Sequence, residues 1–282
     1  MKMSYYPGCT MEGTARDYAK SLEEVAKALE IELVELEDWN CCGASSAHST
    51  NHGLDVRLSA RNLSKAVDLG LDLVIPCPAC FLRTRHADHA LKQDAKKWDF
   101  DEYNPSFDIM TLTTMMAKPE VLEKIKTQVK RPLEGMKVVC YYGCLANRPP
   151  QLTGARNFEN PDTMDSILRA LGAEAIQWSY KTECCGGSLT VAKPDIVRGR
   201  VEEIIEAARR AGAVALVADC AMCQANLESR QADLSKMKPG FEPLPVYFVT
   251  ELAAATFAEA GGAKWNKGHL VNADVINKYL GS

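Results

Sequence analysis

No stretch of the sequence approaches the roughly 20 consecutive apolar residues that cross a bilayer, so no direct membrane insertion is expected. The opening run Met1-Lys2-Met3-Ser4-Tyr5-Tyr6-Pro7 lacks the apolar segment of a secretory leader, which places the chain in the cytoplasm as an expectation. Basic charge is not in excess either. Against 33 Lys and Arg stand 37 Asp and Glu, a net charge of −4 that offers no electrostatic footing to nucleic acid or anionic lipid. Two further absences narrow the redox chemistry. No Gly-x-Gly-x-x-Gly fingerprint for a flavin or nicotinamide is present, and no Cys-x2-Cys-x2-Cys-x3-Cys-Pro run holds ordinary ferredoxin clusters.

Cysteine, by contrast, is abundant: there are eleven, and a reducing cytosol would not keep them as structural disulfides. Their spacing repeats. Cys9 tops a short strand-like run, with 31 residues to the doublet Cys41-Cys42-Gly43 and 34 more to Cys77-Pro78-Ala79-Cys80. Cys144 ends a similar run, with 39 residues to Cys184-Cys185-Gly186 and again 34 to Cys220-Ala221-Met222-Cys223. Two five-cysteine sets in one order, with one identical interval, are the mark of internal duplication.

The segments between the cysteines agree with this. Helical periodicity over Asp17–Leu29 and Leu54–Leu69 is answered by Met164–Leu171 and Ile196–Ala211. Strand-like runs Ile31–Leu36 and Leu71–Ile75 are answered by Ala175–Trp178 and Val214–Ala218, and each half closes on an apolar run, Phe107–Leu112 and Val246–Leu252, that leads into a helix. The pattern predicts an α/β protein of two tandem, duplicated Rossmann-like domains with parallel sheets, related by pseudo-twofold symmetry. Residues 1–117 and 136–282 would be the two domains, and the charged, proline-containing segment 118–135 their connector. Cys9, Cys77, Cys144 and Cys220 all follow strands, so each set would converge at the carboxyl edge of its sheet.

Thiolate suits zinc, copper(I) and iron–sulfur clusters, so residue type alone leaves the metal open. A structural zinc takes four ligands, usually as two short-spaced pairs, and each half has only one such pair. Adjacent cysteines point in different directions, which suits an extended multi-iron cluster better than one tetrahedral ion. Thiol–disulfide exchange at Cys77-Pro78-Ala79-Cys80 is the other rival, and it leaves three cysteines of that set unexplained. Cys140 has no counterpart in the first half and reads as core. Met110, Met115 and Met116 also read as core. His48 and His52, four residues apart after the first doublet, would carry protons or face solvent; His86 and His89 are expected on the surface, and His269 suggests no role.

The two sets resemble the cysteine-rich CCG family, most closely the B-type subunit of heterodisulfide reductase, over nearly the whole chain. The resemblance implies two noncubane 4Fe–4S clusters. The first would be held by Cys9, Cys41, Cys42, Cys77 and Cys80, the second by Cys144, Cys184, Cys185, Cys220 and Cys223. It also implies reduction, or reversible formation, of a small-molecule or protein-bound disulfide between the clusters, with electrons from two partners of a heterodisulfide reductase-like complex, one ferredoxin-like and one flavin-containing. The alternative is a non-catalytic electron relay, as in CCG-containing lactate, glycolate or succinate-oxidising systems. Leu145 stands where methanogen members carry a histidine after the first cysteine of the second motif. Arg148 and Pro149 resemble the family's residues, which makes Arg148 the candidate for attracting an anionic substrate, with Lys193 and His48 as further catalytic candidates.

Overall fold

The computed structural model describes residues 1–259 and 268–280, without the side chains of Ser45 and His52. The first half runs β1 (Lys2–Tyr5), α1 (Cys9–Glu12), α2 (Arg16–Ala28), β2 (Glu32–Glu35), α3 (Ala44–Thr50), α4 (His52–Leu69), β3 (Leu73–Ile75), α5 (Pro78–Gln93), β4 (Ile109–Thr111) and α6 (Leu112–Met116). After α7 (Pro119–Gln128) the second half runs β5 (Lys137–Tyr141), α8 (Pro150–Thr153), α9 (Thr163–Ala170), β6 (Glu174–Ala175), α10 (Pro194–Arg210), β7 (Ala215–Ala218), α11 (Ala221–Met237), β8 (Val246–Phe248) and α12 (Val249–Phe257). No helix among the described residues is long and apolar enough to cross a membrane.

Each half forms one four-stranded sheet, ordered β2-β1-β3-β4 and β6-β5-β7-β8, with every neighbouring pair parallel. Parallel pairing needs both faces covered, and the central strands β3 and β7 are accordingly buried at every residue. From β1 the chain turns to β2 on one side and then to β3 on the other, so the switch point falls between β1 and β3. The equivalent point in the second sheet falls between β5 and β7. Cys9, Cys77, Cys144 and Cys220 follow these four strands, in the crevice where open α/β sheets bind ligands.

The hydrophobic core does not stop at the end of the first half. One cluster of buried residues joins Met3, Tyr18 and Met110 to Val138, Tyr247 and Leu252. The last helix of each half lies on the other half: α12 packs against α2, and α6 against α9. Tyr18 stacks on Phe248 with ring centroids 4.2 Å apart, and Ser21 Oγ meets Thr250 Oγ1 at 2.7 Å. Every residue of α12 is buried, which explains why Glu251 is its only charged residue. Asp219 ties the halves at the site itself. Its Oδ2 accepts from the Thr113 hydroxyl at 2.9 Å and its carbonyl from Tyr18 at 3.2 Å, while burial pushes its carboxyl up to about 7.

Some boundaries differ from the sequence expectation for local reasons. The expected strand Ala175–Trp178 ends at Ala175 because the Trp178 indole N–H, rather than a backbone amide, takes the carbonyl of Cys140 on β5 at 2.9 Å. The run Val246–Leu252 is strand only to Phe248, where the Glu251 carboxylate accepts the Phe248 N–H at 2.7 Å and starts α12. His48 and His52 do not share a helix, since Asn51 is extended between them and caps α4 through Leu54 N–H at 3.0 Å. Met110, Met115, Met116 and Cys140 are all buried.

Candidate functional site

Each cysteine is delivered by an element boundary. Cys9 opens α1, Cys77 is the N-cap of α5, and Cys80 lies in its first turn. In the second half Cys144 follows β5, and Cys220 is the N-cap of α11 with its sulfur accepting the Cys223 N–H at 3.4 Å. The doublets Cys41-Cys42 and Cys184-Cys185 run into Gly43 and Gly186, both left-handed at φ 78°. That turn sends the glycine amides back onto sulfur, Gly43 N–H to Cys41 Sγ at 3.4 Å and Gly186 N–H to Cys184 Sγ at 3.3 Å.

The ten repeated cysteines gather as two groups of five. Cys41 and Cys9 sulfurs are 3.9 Å apart, and Cys80 lies beside both Cys42 and Cys77. The second group repeats these neighbours: Cys144 lies beside Cys184, Cys223 beside Cys220, and the Cys185 and Cys223 sulfurs are 3.6 Å apart. These separations are far beyond a disulfide bond, and all eleven thiols are free. Among the described residues no three His, Cys, Asp or Glu side chains are arranged around a single metal ion.

The surroundings fit a bulky anionic sulfur-ligated group better than close-packed core. A Cβ on Gly8, at φ 70°, would lie 2.7 Å from Cys80 Sγ, and one on Gly143, at φ 64°, would lie 3.1 Å from Cys223 Sγ. Glycine before the first cysteine therefore keeps each sulfur crevice open. A buried tyrosine braces each doublet: Tyr6 donates to Asn40 O at 2.8 Å and Tyr141 to Glu183 O at 2.5 Å, each carbonyl immediately preceding the doublet. The N-termini of α5 and α11 point their dipoles at the sulfurs.

Crowding of thiols splits their acidities. Hydrogen bonding from Cys80 brings Cys77 down to about 6 against the opposing effect of burial, and Cys144 does the same for Cys184. Cys80, Cys144 and Cys223 are pushed up, first because each keeps its proton to share with a neighbouring sulfur, Cys42, Cys184 and Cys185 respectively, and then by burial and the negative charge nearby. Cys9 is raised to about 11 by burial and by Cys41. A polynuclear cation relieves this repulsion and allows all five to ionise.

A cavity of about 250 Å³ opens beside the second group and is lined by all five of its cysteines. Its other wall comes partly from the first half, through Ala44, His48, Pro78, Ala79 and Arg83, with Leu145 and Met222 adding apolar surface. Of the sequence candidates, His48 lines this cavity. Arg148 is exposed with its guanidinium on Thr182 Oγ1 at 3.2 Å, and Lys193 is the exposed N-cap of α10; neither is in the cavity wall. His86, expected on the surface, is instead partly buried with Nδ1 3.0 Å from Asp55, while His89 is exposed. Sequence reading passed over Arg83 and Asp55, since nothing in the spacing brings a carboxylate on α4 to a guanidinium on α5.

Comparison with known proteins gives the same two-part picture. The model of the CCG cysteine-rich domain matches residues 3–84 and again residues 138–228. The chain is 30% identical over 259 residues to the 8-methylmenaquinol:fumarate reductase membrane anchor subunit of Wolinella succinogenes, covering 89% of this chain and 90% of that protein. It is 25% identical to a protein of Archaeoglobus profundus named for its likeness to the B-type subunit of heterodisulfide reductase, covering 90% of each. A hypothetical protein from Helicobacter pylori, known from its crystal structure, has a similar fold at a TM-score of 0.72 and 13% identity, over 96% of this chain and 52% of that one.

Proposed function

Because the chain belongs to the family of CCG cysteine-rich domain proteins, we propose that it is the B-type iron–sulfur subunit of a heterodisulfide reductase-like complex, working in the cytoplasm on a disulfide. The observation that carries this reading is the convergence of two equivalent five-thiol groups, one of them lining a cavity that the other half helps to wall. Cys9, Cys41, Cys42, Cys77 and Cys80 would hold one noncubane 4Fe–4S cluster in the half 1–117. Cys144, Cys184, Cys185, Cys220 and Cys223 would hold the other in the half 136–282. Bound there, such clusters would supply the two electrons that reduction of a disulfide needs.

The chain's own residues prepare the cavity for that reaction. Leu145 and Met222 give one side of it an apolar lining. His48, whose Nδ1 lies 3.6 Å from the buried Asp55 carboxylate, keeps Nε2 as the atom that passes a proton to a departing thiolate. Electrons would enter from the ferredoxin-like and flavin-containing partners of the complex.

Anaerobically purified protein is expected to contain about eight irons and a similar amount of acid-labile sulfide per chain. Stoichiometric zinc without iron, after production in an iron-replete host, would overturn the assignment. A second reading, electron relay without disulfide chemistry, is favoured by the Wolinella relative, whose name places it in a fumarate reductase. The assembled complex decides between them. Reduction of a panel of low-molecular-weight disulfides by the dithionite-reduced complex supports the catalytic reading, and full cluster reduction with no disulfide turnover supports the relay.

A further inference from the structure

Between the doublet and the Cys-x-x-Cys pair the two halves correspond without a gap, 34 residues in each. Counting from the doublets aligns His48 with Val191, Asp55 with Arg198, Arg83 with Asn226 and His86 with Ser229. The cysteines, the glycines after the doublets and the bracing tyrosines survive the duplication; these four positions do not. In the second half Arg198 turns to the exposed Asp195, and Asn226 donates to the carbonyl of Cys185 at 2.9 Å. The first half builds a charged cluster in their place.

Asp55 is its centre. Its side chain is fully buried, and it holds Arg83 Nη1 at 3.3 Å and His86 Nδ1 at 3.0 Å, with His48 Nδ1 at 3.6 Å. A buried carboxylate anchoring one edge of a guanidinium fixes that side chain and leaves its remaining donors for something else. Arg83 Nε and Nη2 have no hydrogen-bond partner among the described residues, and the side chain lines the cavity opposite the second cysteine group. The wall around it is largely apolar: Ala44, Pro78, Ala79, Leu145 and Met222. A cation facing a small apolar chamber with sulfur at its far side suits a short molecule with an anionic group at one end and sulfur at the other.

We propose that Arg83 is the specificity-determining residue of this cavity, gripping the carboxylate of an entering thiol or disulfide so that its sulfur faces the second cysteine group, with Asp55 as the positioning residue. The duplication was broken at these positions to turn one of two equivalent crevices into a selective one. The inference rests on the cluster-binding reading above, and its test separates the two.

Calorimetric titration of the anaerobically purified, iron-loaded chain with 3-mercaptopropionate and with uncharged 3-mercaptopropan-1-ol is expected to show roughly tenfold tighter binding of the carboxylate, the scale of a charge-assisted hydrogen bond. Arg83→Gln should bind both thiols equally, at the affinity of the neutral one, with iron content and melting temperature recording that it folds. Arg83→Lys keeps the charge without the fork and should retain only part of the preference, which serves as the test if Arg83→Gln does not fold. Asp55→Asn should lower the preference while leaving binding of the neutral thiol unchanged. An unaltered preference in folded, iron-loaded Arg83→Gln overturns the inference, as does wild-type protein that shows no preference or binds neither thiol while carrying its full iron. A wild-type chain that takes up no iron at all removes the cluster reading and the inference with it.

Discussion

Cys41→Ala is expected to cost the chain about half of its iron, whereas Cys140→Ala is expected to cost none. Cys41 is exposed, lies 3.9 Å from Cys9 and receives the Gly43 amide, so its sulfur belongs to the first group and has no contact with the second. Cys140 is fully buried inside β5, away from both groups, and its thiol pKa is raised first by burial and then by Asp165. Gly8→Ala should reproduce the Cys41 loss without removing any ligand. The new methyl would stand 2.7 Å from Cys80 Sγ, and Cys80 is packed at 3% exposure with nowhere to retreat. The backbone at φ 70° and ψ 161° lies in a region essentially confined to glycine and adds about 1–3 kcal/mol against any residue with a Cβ. Iron analysis and the visible spectrum of each variant, read against wild type, check the set. If Cys140→Ala loses a cluster's worth of iron and Cys41→Ala loses none, the division of cysteines between the halves is wrong.

What the sequence made legible was whatever repeats. Strand–helix alternation, the parallel sheets and the two cysteine groups all leave periodic or duplicated marks, and the buried Leu73–Ile75 and Ala215–Ala218 strands fall where their apolar runs place them. The exchange of last helices between the halves was not legible, because an apolar helix such as α12 records that it is buried and not what buries it. The Asp55 cluster was hidden for a related reason. Its members come from α3, α4 and α5, and each alone is an ordinary polar residue on a helix. A residue-by-residue comparison of the two halves would have exposed it, since His48, Arg83 and His86 meet Val191, Asn226 and Ser229 in the other copy and Asp55 meets a residue of opposite charge, Arg198. Gly8 and Gly143 were equally silent, as a glycine's need for space depends on a sulfur that arrives from elsewhere in the chain.

His269 carries the largest stability effect expected outside the cysteine groups, although its place near the end of the chain suggested no role. Its side chain is 2% exposed, with Nδ1 2.6 Å from Glu228 and Nε2 3.3 Å from Glu251. Burial alone would lower its pKa, but the two carboxylates outweigh burial and raise it to about 10, so the ring is an imidazolium at neutral pH. The carboxylates are committed elsewhere as well, Glu251 to the start of α12 and Glu228 to the Leu270 amide at 2.7 Å, so the ion cluster pins the segment after residue 267 to α11 and α12. His269→Ala leaves two buried carboxylates facing each other without a cation and should cost about 3–5 kcal/mol. At roughly 2–4 °C per kcal/mol for a chain approaching this size, the melting temperature should fall by about 10 °C. The sign of the pH dependence follows from the raised pKa. Between the unfolded value of 6.5 and the folded value of about 10 the native state holds the extra proton, so the His269 contribution is complete below that window and is lost as pH climbs through it. Urea unfolding of wild type and His269→Ala should therefore show the full gap near pH 6.5 and a much smaller one near pH 10. A gap under about 1 kcal/mol at pH 6.5, or one that does not change with pH, would mean that the imidazolium does not hold this corner of the fold together.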